Sequence, residues 1–167
     1  SGGSFAIELK KTGYDAVFLE GISPIPIYIY VDNGEVRFID ATQIWGKDTI
    51  YTEEFIKKEL NNDQVRVACI GPAGESKSLL ACIRHEGSAA GRSGLGALMG
   101  SKRVKALAVR GNKSLHIAKP ELLAILRKDY LKSVKTTDHP WATIFKQWGT
   151  CAFLSPAIEN ADSPIKN

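Results

Sequence analysis

Long apolar runs, a disulfide framework and basic clusters are all missing from this chain of 167 residues. Since no apolar run approaches the ~20 residues needed to cross a bilayer, the sequence predicts no membrane contact. Three cysteines without a C-x-x-C pair argue against disulfides and favour a reducing, cytoplasmic location. The net charge of +4, with no basic run longer than two residues, predicts no nucleic-acid partner.

Residues for metal and nucleotide chemistry are scarce as well. Histidine occurs three times without the spacing of metal ligands, at His85, His116 and His139. The stretch at residues 71–78 ends in Lys-Ser, but Ser76 stands where a phosphate-binding loop needs glycine. The tripeptide at 94–96 begins like a dinucleotide motif, but the third glycine, Gly100, comes one residue late. We therefore assign no catalytic residue and no nucleotide site from these patterns.

What the chain does contain is the pattern of an α+β fold. Apolar runs predict strands at residues 16–19, 25–31, 35–39, 65–70, 79–83 and 106–109. Helical spacing predicts helices at residues 4–12, from 52 onward, at 95–99, from 120 onward and at 141–148. Asn33-Gly34 predicts a hairpin turn, after which Val36 and Phe38 should face one way and Arg37 the other, one face in and one out. Thr52 is the predicted N-cap of the second helix.

The predicted secondary structure changes near residues 115–119, from short strands before them to helices after them. We predict a β-sheet-rich base domain at residues 1–117, incomplete at its start. The first helices of a truncated α-helical domain should follow at residues 118–167. Trp141, Phe145 and Trp148 share one helical face, which needs a covering partner.

The most informative stretch lies between two predicted strands and reads SAAGRSGLGALMGSK, from Ser88 to Lys102. Small residues let the backbone approach another group closely, and arginine can bind an anion through two parallel hydrogen bonds. One interpretation is an anion site, in which Arg92 and the N–H groups at a helix start face a phosphate. The other is that the glycines allow a helix to pack tightly on a sheet. The residues by themselves favour neither.

The longer run GSAAGRSGLGALMGSKRVKALAVRG, residues 87–111, resembles the pterin-binding segment of the aldehyde:ferredoxin oxidoreductase family. Other blocks are similar to the family's blocks in the same order: SGGSFAIELKKTGYDAVFLEG, PIYIYVDNGEVRFIDATQIWG, VRVACIGPAGE, QWGTCAF and SPIKN. The resemblance covers essentially the whole chain. An ordered set of motifs is much more specific than any one of them.

The resemblance implies a fold in which β-sheets form a base for the cofactor and helical domains complete the site. It implies tungsten or molybdenum held by two pyranopterin dithiolenes, with Mg²⁺ bridging the pterin phosphates. It also implies oxidation of aldehydes to carboxylates, with electrons passing through a [4Fe-4S] cluster to ferredoxin. The cysteine ligands of that cluster are expected in a part of the protein outside this chain.

The resemblance further implies which residues hold the cofactor. Four positions match ones that contact pterin or its phosphates: Gly2, Ala89, Gly91 and Arg92. The Ala89 carbonyl would also face the Mg²⁺ ion, a hard cation that prefers oxygen ligands. Ser88 lies in the same cofactor-binding motif where the family has an arginine, so one charged phosphate contact is absent there or supplied elsewhere.

We expect a partial chain whose main partner is the remainder of its own polypeptide, with a homodimer as a further option. Alone, the segment should position the cofactor without catalysis. Two alternatives stay open: a family relative that reduces another substrate, such as an aromatic acyl-CoA, and a non-catalytic pterin-binding subunit. A cysteine quartet further along the gene would favour an enzyme over the binding subunit.

Overall fold

The computed structural model describes residues 3–137 and 139–162. The chain divides into two compact units, Ser1–Leu115 and His116–Asn167. The first unit combines a mixed β-sheet with helices and the second is helical, so the predicted α+β class is confirmed. The assignment of residues 1–117 to a pterin-binding domain, and of residues 118–167 to the start of a helical domain, stays a prediction.

One mixed sheet organises the first unit. Its strands are β1 (Ile27–Asp32), β2 (Glu35–Asp40), β3 (Arg66–Cys69), β4 (Ile83–His85), β5 (Ser88–Ala90) and β6 (Val104–Arg110). Across the sheet they lie in the order β2-β1-β6-β3-β4-β5. β1 runs parallel to β6, and the other neighbouring pairs are antiparallel. β5 is therefore an edge strand.

The hairpin of β1 and β2 is confirmed at the predicted turn. Asn33 and Gly34 have φ values of +50° and +100°, as a tight two-residue hairpin turn requires. Pairing runs in register from Ile27 opposite Asp40 at the far end to the turn itself. The Asn-Gly dipeptide thus fixes where β1 ends and where β2 begins.

Helices pack on both faces of the sheet. They are α1 (Phe5–Lys11), α2 (Thr49–Glu59), α3 (Pro72–Glu75) and α4 (Leu95–Ser101), with a 3₁₀ turn at Thr42–Ile44. Gly13 follows α1 with a φ of +100°, in line with its predicted role in ending the helix. The prediction of Thr52 as the cap of α2 is wrong. The Asp48 carboxylate accepts a hydrogen bond from the Tyr51 N–H and so starts the helix a turn earlier.

One face of the sheet, here named the covered face, packs under α2 and the 3₁₀ turn. Its buried residues are Tyr28, Tyr30, Ala41, Ile44, Ile56, Val65, Val67, Cys69, Ala106 and Ala108. At its border the Tyr28 hydroxyl donates a 2.6 Å hydrogen bond to Glu59. The Arg37 guanidinium lies 4.8 Å from the centre of the Tyr30 ring. Water is thus excluded from this face by residues of the chain itself.

The opposite face, here named the open face, is only partly covered by α1 and α4. Its buried residues are Phe5, Ile29, Val31, Ala68, Ile70, Met99, Val104 and Val109. Beside them Phe18 is 90% exposed and Phe38 is 68% exposed. The prediction of an inward face at Val36 and Phe38 is therefore wrong for this chain. β2 lies at the sheet edge, and neither α1 nor α4 covers its residues on the open face.

Two predicted strands are absent. Residues 16–19 form an irregular segment, and residues 79–80 form a turn that is followed by two irregular residues before β4 starts at Ile83. Leu79 and Leu80 are 81% and 90% exposed, so their apolar run lies on the surface. Both predictions fail for the same reason: an apolar run indicates a tendency to be buried, but this chain supplies no cover for either run.

The second unit contains α5 (Pro120–Thr136), α6 (Pro140–Trp148), α7 (Leu154–Glu159) and a 3₁₀ turn at Gly149–Phe153. α6 ends at Gly149 as predicted. The Trp141 ring stacks on the Phe153 ring with 5.2 Å between ring centres, and the centre of the Phe145 ring lies 5.3 Å from that of Phe153. Trp148, at the end of the predicted aromatic face, stays 63% exposed. Across residues 3–137 and 139–162, no helix is both long and apolar enough to cross a membrane.

Candidate cofactor-binding site

The β4–β5 hairpin carries the start of the glycine-rich stretch. A two-residue loop joins its strands, so His85 and Ser88 form the pair that flanks the loop. In such a hairpin the flanking pair exchanges both backbone hydrogen bonds, and the next pair directs its N–H and C=O groups away from the partner strand. Ala89 belongs to that next pair on an edge strand. The residue that the resemblance assigns to Mg²⁺ therefore directs its carbonyl oxygen outward from the sheet.

The loop that follows β5 is exposed and tightly curved. Gly91 and Arg92 are both exposed, and a Cβ at Gly91 would meet no atom closer than 3.9 Å. Ser93 and Gly94 have φ values of +67° and +65°, and this left-handed curvature turns the chain from the sheet edge into α4. A ligand can therefore reach the backbone and the guanidinium of this loop from outside.

Two later glycines serve close packing instead. A Cβ at Gly96 would lie 2.6 Å from the Ala81 backbone, and one at Gly100 would lie 1.9 Å from the Gly74 carbonyl oxygen. Only glycine fits at either position, because backbone atoms occupy the space of a side chain. The second half of the stretch thus serves close packing, against α3 and the segment before β4 and not against a strand of the sheet as predicted. The first half remains exposed.

The start of the chain lies against the same hairpin. The Ser4 hydroxyl donates a 2.8 Å hydrogen bond to Glu86 Oε1, and the Ser4 N–H donates a 3.3 Å bond to Oε2. These bonds join residues 82 positions apart and bring Gly3 of the SGG block next to the hairpin that carries Ala89. Gly2 and the SPIKN block lie outside the described residues, so their predicted roles stay predictions.

His85 lies buried beneath this contact. Its Nδ1 is 2.8 Å from the Val67 carbonyl oxygen, which can only accept, so Nδ1 carries a proton. Its Nε2 is 3.4 Å from the Glu86 carboxylate and has no hydrogen-bond partner among the described residues. Phe5 packs edge-on against the imidazole ring, 5.3 Å away. The hydrogen bond from the Ser4 hydroxyl holds the pKa of Glu86 below its usual value, so this carboxyl is ionised at neutral pH.

An apolar cavity of about 400 Å³ adjoins the hairpin on the open face. Its floor consists of Ala68, Ile83 and Leu107, and β5 and α4 form part of its wall. Lys102 also lines it and donates a 3.1 Å hydrogen bond to the Gly21 carbonyl. A bound group that reached the exposed loop would therefore have an apolar surface beside it.

The groups present at this edge fit a phosphate with an associated hard cation. Arg92 offers a planar donor, and the Ala89 carbonyl offers an oxygen ligand. Ser88 is half-buried and presents a hydroxyl where the family has a guanidinium. Among residues 3–137 and 139–162, no three His, Cys, Asp or Glu side chains form a metal-binding group. A cation at this edge would therefore rely on backbone oxygen and on the bound group for its ligands.

A buried ion pair under α3 was missed from the sequence. Lys105 is completely buried, and its ammonium donates to the Glu75 carboxylate and to the Lys47 carbonyl, the latter at 2.7 Å. Glu75 also accepts a 2.7 Å bond from the Gly46 N–H. The signal was a lysine within the apolar run VKALAV, since a buried ammonium needs an acidic partner. Glu86 gave no comparable signal, because its partners are distant in the sequence.

Cysteine chemistry plays no visible part at this edge. Cys69 is buried on the covered face, and burial raises the pKa of its thiol to about 12, which keeps it protonated and unreactive. Cys82 is half-buried and Cys151 is exposed. Among the three cysteines, Cys69 is therefore the buried and inert thiol.

Sequence comparison places this site in a family. Residues 1–111 match the family described as aldehyde ferredoxin oxidoreductase, N-terminal domain. The whole chain is 39% identical to the tungsten-containing aldehyde ferredoxin oxidoreductases of Pyrococcus furiosus and Thermococcus kodakarensis, and it covers 28% of each. It is also 30% identical to the WOR-like subunit of an aliphatic sulfonate oxidoreductase from Pyrococcus furiosus, over 96% of this chain and 27% of that protein.

A solved structure shares both the fold and much of the sequence. It is the active-site complex BamBC of benzoyl coenzyme A reductase with 1,5-dienoyl-CoA, matched with a TM-score of 0.79 and 43% identity. The match covers 81% of this chain and 21% of that one. The chain spans little more than a quarter of the length of the curated relatives that it matches. From these matches and the ordered motifs, the chain belongs to the aldehyde ferredoxin oxidoreductase family, within which residues 1–111 correspond to the N-terminal domain.

Proposed function

We propose that this chain is the part of a tungsten or molybdenum pterin oxidoreductase that binds the pterin phosphates and orients the cofactor. The observation that carries the proposal is the meeting of the SGG block and the hairpin leading into AAGR, through the bonds between Ser4 and Glu86. Two segments with a common ligand need to lie side by side. The names of the tungsten-containing relatives support the same cofactor class.

Each residue of the exposed edge has a role in this proposal. Arg92 would bind phosphate oxygens in a bidentate manner, and Gly2 and Gly91 would allow the cofactor close to the backbone. The Ala89 carbonyl would bind the Mg²⁺ ion between the phosphates. The Ser88 hydroxyl can donate only one hydrogen bond. Phosphate binding would therefore depend more on Arg92 in this chain than in relatives that have an arginine at the position of Ser88. The metal–pterin group would supply the redox chemistry once bound.

Oxidation of aldehydes to carboxylates is the leading reaction, because relatives matched over the whole chain are named aldehyde ferredoxin oxidoreductases. A [4Fe-4S] cluster held by the remainder of the polypeptide would pass the electrons to ferredoxin. A cytoplasmic location and an optional homodimer belong to the same proposal. The 167-residue segment alone should bind or orient without turnover.

Reduction of an aromatic acyl-CoA is the second candidate, favoured by the 43% identity to the benzoyl coenzyme A reductase complex. Anaerobic assays of the full-length protein with an aldehyde and an artificial electron acceptor, and with a dienoyl-CoA or aromatic acyl-CoA, would separate the two reactions. A pterin-loaded protein that turned over neither substrate would instead support the non-catalytic binding subunit.

The binding role is tested on the full-length protein, produced with both tungstate and molybdate. We expect metal by mass spectrometry and pterin by fluorescence after oxidative release. Arg92→Ala should lower pterin content about tenfold, the effect of losing one charge-assisted contact. Arg37→Ala is the matched control, since Arg37 is exposed on β2, at the opposite edge of the same sheet. Wild-type protein without metal and pterin would contradict the proposal, and unchanged content in the Arg92 variant would contradict the role of that residue.

A further inference from the structure

Glu86 occupies a backbone position that does not suit glutamate. It is the first residue of the two-residue loop between β4 and β5, and its φ is +49°. Left-handed positions in such loops favour glycine, asparagine and aspartate, because other side chains crowd the backbone there. Turn formation therefore gives no reason for glutamate. A residue that breaks a local rule in this way is expected to have a task for its side chain.

The carboxylate of Glu86 is the meeting point of three elements. Ser4 at the start of α1 donates to it through both its hydroxyl and its N–H. Arg66 Nε on β3 lies 3.7 Å from Oε1, and His85 Nε2 on β4 lies 3.4 Å from Oε2. No other carboxylate of the described chain joins the SGG block to the hairpin. The side chain thus links the two blocks that the proposed cofactor would contact.

Ser4 gives up a helix-capping bond to make this contact. It is the N-cap residue of α1, where serine normally accepts a hydrogen bond from an N–H of the first helical turn. Its side chain makes no such bond, and its hydroxyl donates to Glu86 instead. The local stability of α1 is therefore secondary to holding Ser4 against the hairpin.

Gly3 fits the same arrangement. A Cβ at this position would lie 2.7 Å from Glu86 Oε2 and 3.1 Å from His85 Cδ2, and the φ of Gly3 is +69°. The left-handed backbone favours glycine at this position, and the absence of a side chain leaves room for the Glu86 carboxylate and the His85 ring beside it.

From these contacts we propose that Glu86 is a positioning residue. It anchors Gly3 and Ser4 on the β4–β5 hairpin and so fixes the distance between the SGG block and the Ala89 edge. The inference rests on the proposed function, because it assumes that both blocks hold one cofactor. It adds a residue that touches neither pterin nor metal but decides whether both blocks can bind together.

The test compares three variants of the full-length protein. Glu86→Gly removes the carboxylate while relieving the left-handed backbone, so the hairpin should stay folded. Ser4→Ala removes the hydroxyl bond to Glu86 and keeps the backbone N–H bond, and Glu35→Gln alters an exposed glutamate of β2 as the control. We expect amide exchange at the start of α1 to become about tenfold faster in the Glu86 and Ser4 variants, with circular dichroism unchanged. Pterin and metal content should fall severalfold in both.

A double variant and a conservative variant exclude a purely structural role. Glu86→Gly combined with Ser4→Ala should lose no more cofactor than Glu86→Gly alone, because the Ser4 hydroxyl has no partner left once the carboxylate is gone. Glu86→Gln keeps an acceptor for the Ser4 hydroxyl and should restore part of the cofactor content. Loaded wild-type protein together with fully loaded Glu86→Gly would overturn this inference alone. Wild-type protein without pterin and metal would overturn the proposed function as well.

Discussion

The two faces of the sheet differ in how far the chain completes them. The covered face is closed by α2 and the 3₁₀ turn, and residues such as Tyr28, Ile44 and Ile56 have no exposed surface. The open face has a core between α1 and α4, but Phe18, Phe38 and Leu98 beside it are more than half exposed. Stability is concentrated on the first face, and the proposed cofactor edge borders the second. The segment therefore combines a self-sufficient core with a surface suited to binding.

The largest expected effect concerns α4, which closes one side of the open face. Gly100→Ala should lower the free energy of unfolding by about 4 kcal/mol, because the new methyl group would lie 1.9 Å from the Gly74 carbonyl oxygen. Gly91→Ala is the matched change in the exposed half of the same stretch and should cost less than about 1 kcal/mol. Urea unfolding followed by circular dichroism measures both. Equal losses would show that the two halves of the stretch are not packed differently.

A smaller effect separates the two faces directly. Ile56→Ala on the covered face should cost about 3 kcal/mol, because it opens a cavity under α2 at a fully buried position. Phe18→Ala on the open face should change the stability of this chain by less than about 0.5 kcal/mol, since the ring is 90% exposed. The same unfolding measurement applies. A large loss from Phe18→Ala would mean that the open face is covered in solution.

The smallest expected effect depends on pH and concerns Glu8, at the border of the open face. Burial would raise the pKa of Glu8, but the Gly111 N–H bond and the Arg110 guanidinium outweigh it and lower the pKa. The carboxylate therefore stabilises the fold above its ordinary pKa near 4.5, and this contribution is lost as the pH falls through the lowered folded value. Glu8→Gln should cost on the order of 1 kcal/mol at neutral pH.

The acid limit provides the control for that variant. Below the folded pKa of Glu8 the wild-type carboxyl is also neutral, so the difference between Glu8→Gln and wild type should disappear. Unfolding curves from neutral pH downward test this, and the difference should shrink progressively as the pH falls below 4.5. A difference that persisted unchanged in acid would show that packing of the glutamine, and not charge, causes the loss.

Local chemistry made parts of the fold predictable. Asn33-Gly34 fixed the β1–β2 hairpin, and Gly13 and Gly149 marked the ends of two helices, because each needs only a few neighbouring residues. The predicted strands at residues 16–19 and 79–83 failed because their burial depended on distant cover. The predicted cap Thr52 was wrong because threonine and aspartate are both good N-caps, and only the folded geometry shows that Asp48 starts α2.

The candidate site divides in the same way. The motif around Arg92 could be recognised from the sequence, since it is a continuous run. The role of Gly100 could not be separated from that of Gly91, because glycine is identical in both places and only its neighbours differ. Lys105 and Glu75 meet across 30 positions, and Ser4 and Glu86 across 82. A lysine within the apolar run VKALAV indicates that an acidic partner is needed, but nothing in a single sequence identifies the partner in either pair.

The sequence by itself determined the family, the α+β class and the position of the glycine-rich motif, because these depend on continuous runs of residue types. Tertiary structure alone decided which glycines serve packing, which face of the sheet stays open and which glutamate joins the SGG block to the hairpin. The physical reason is that burial and hydrogen bonding depend on distances in space. The chain brings Ser4 and Glu86 within 2.8 Å of each other only when it folds.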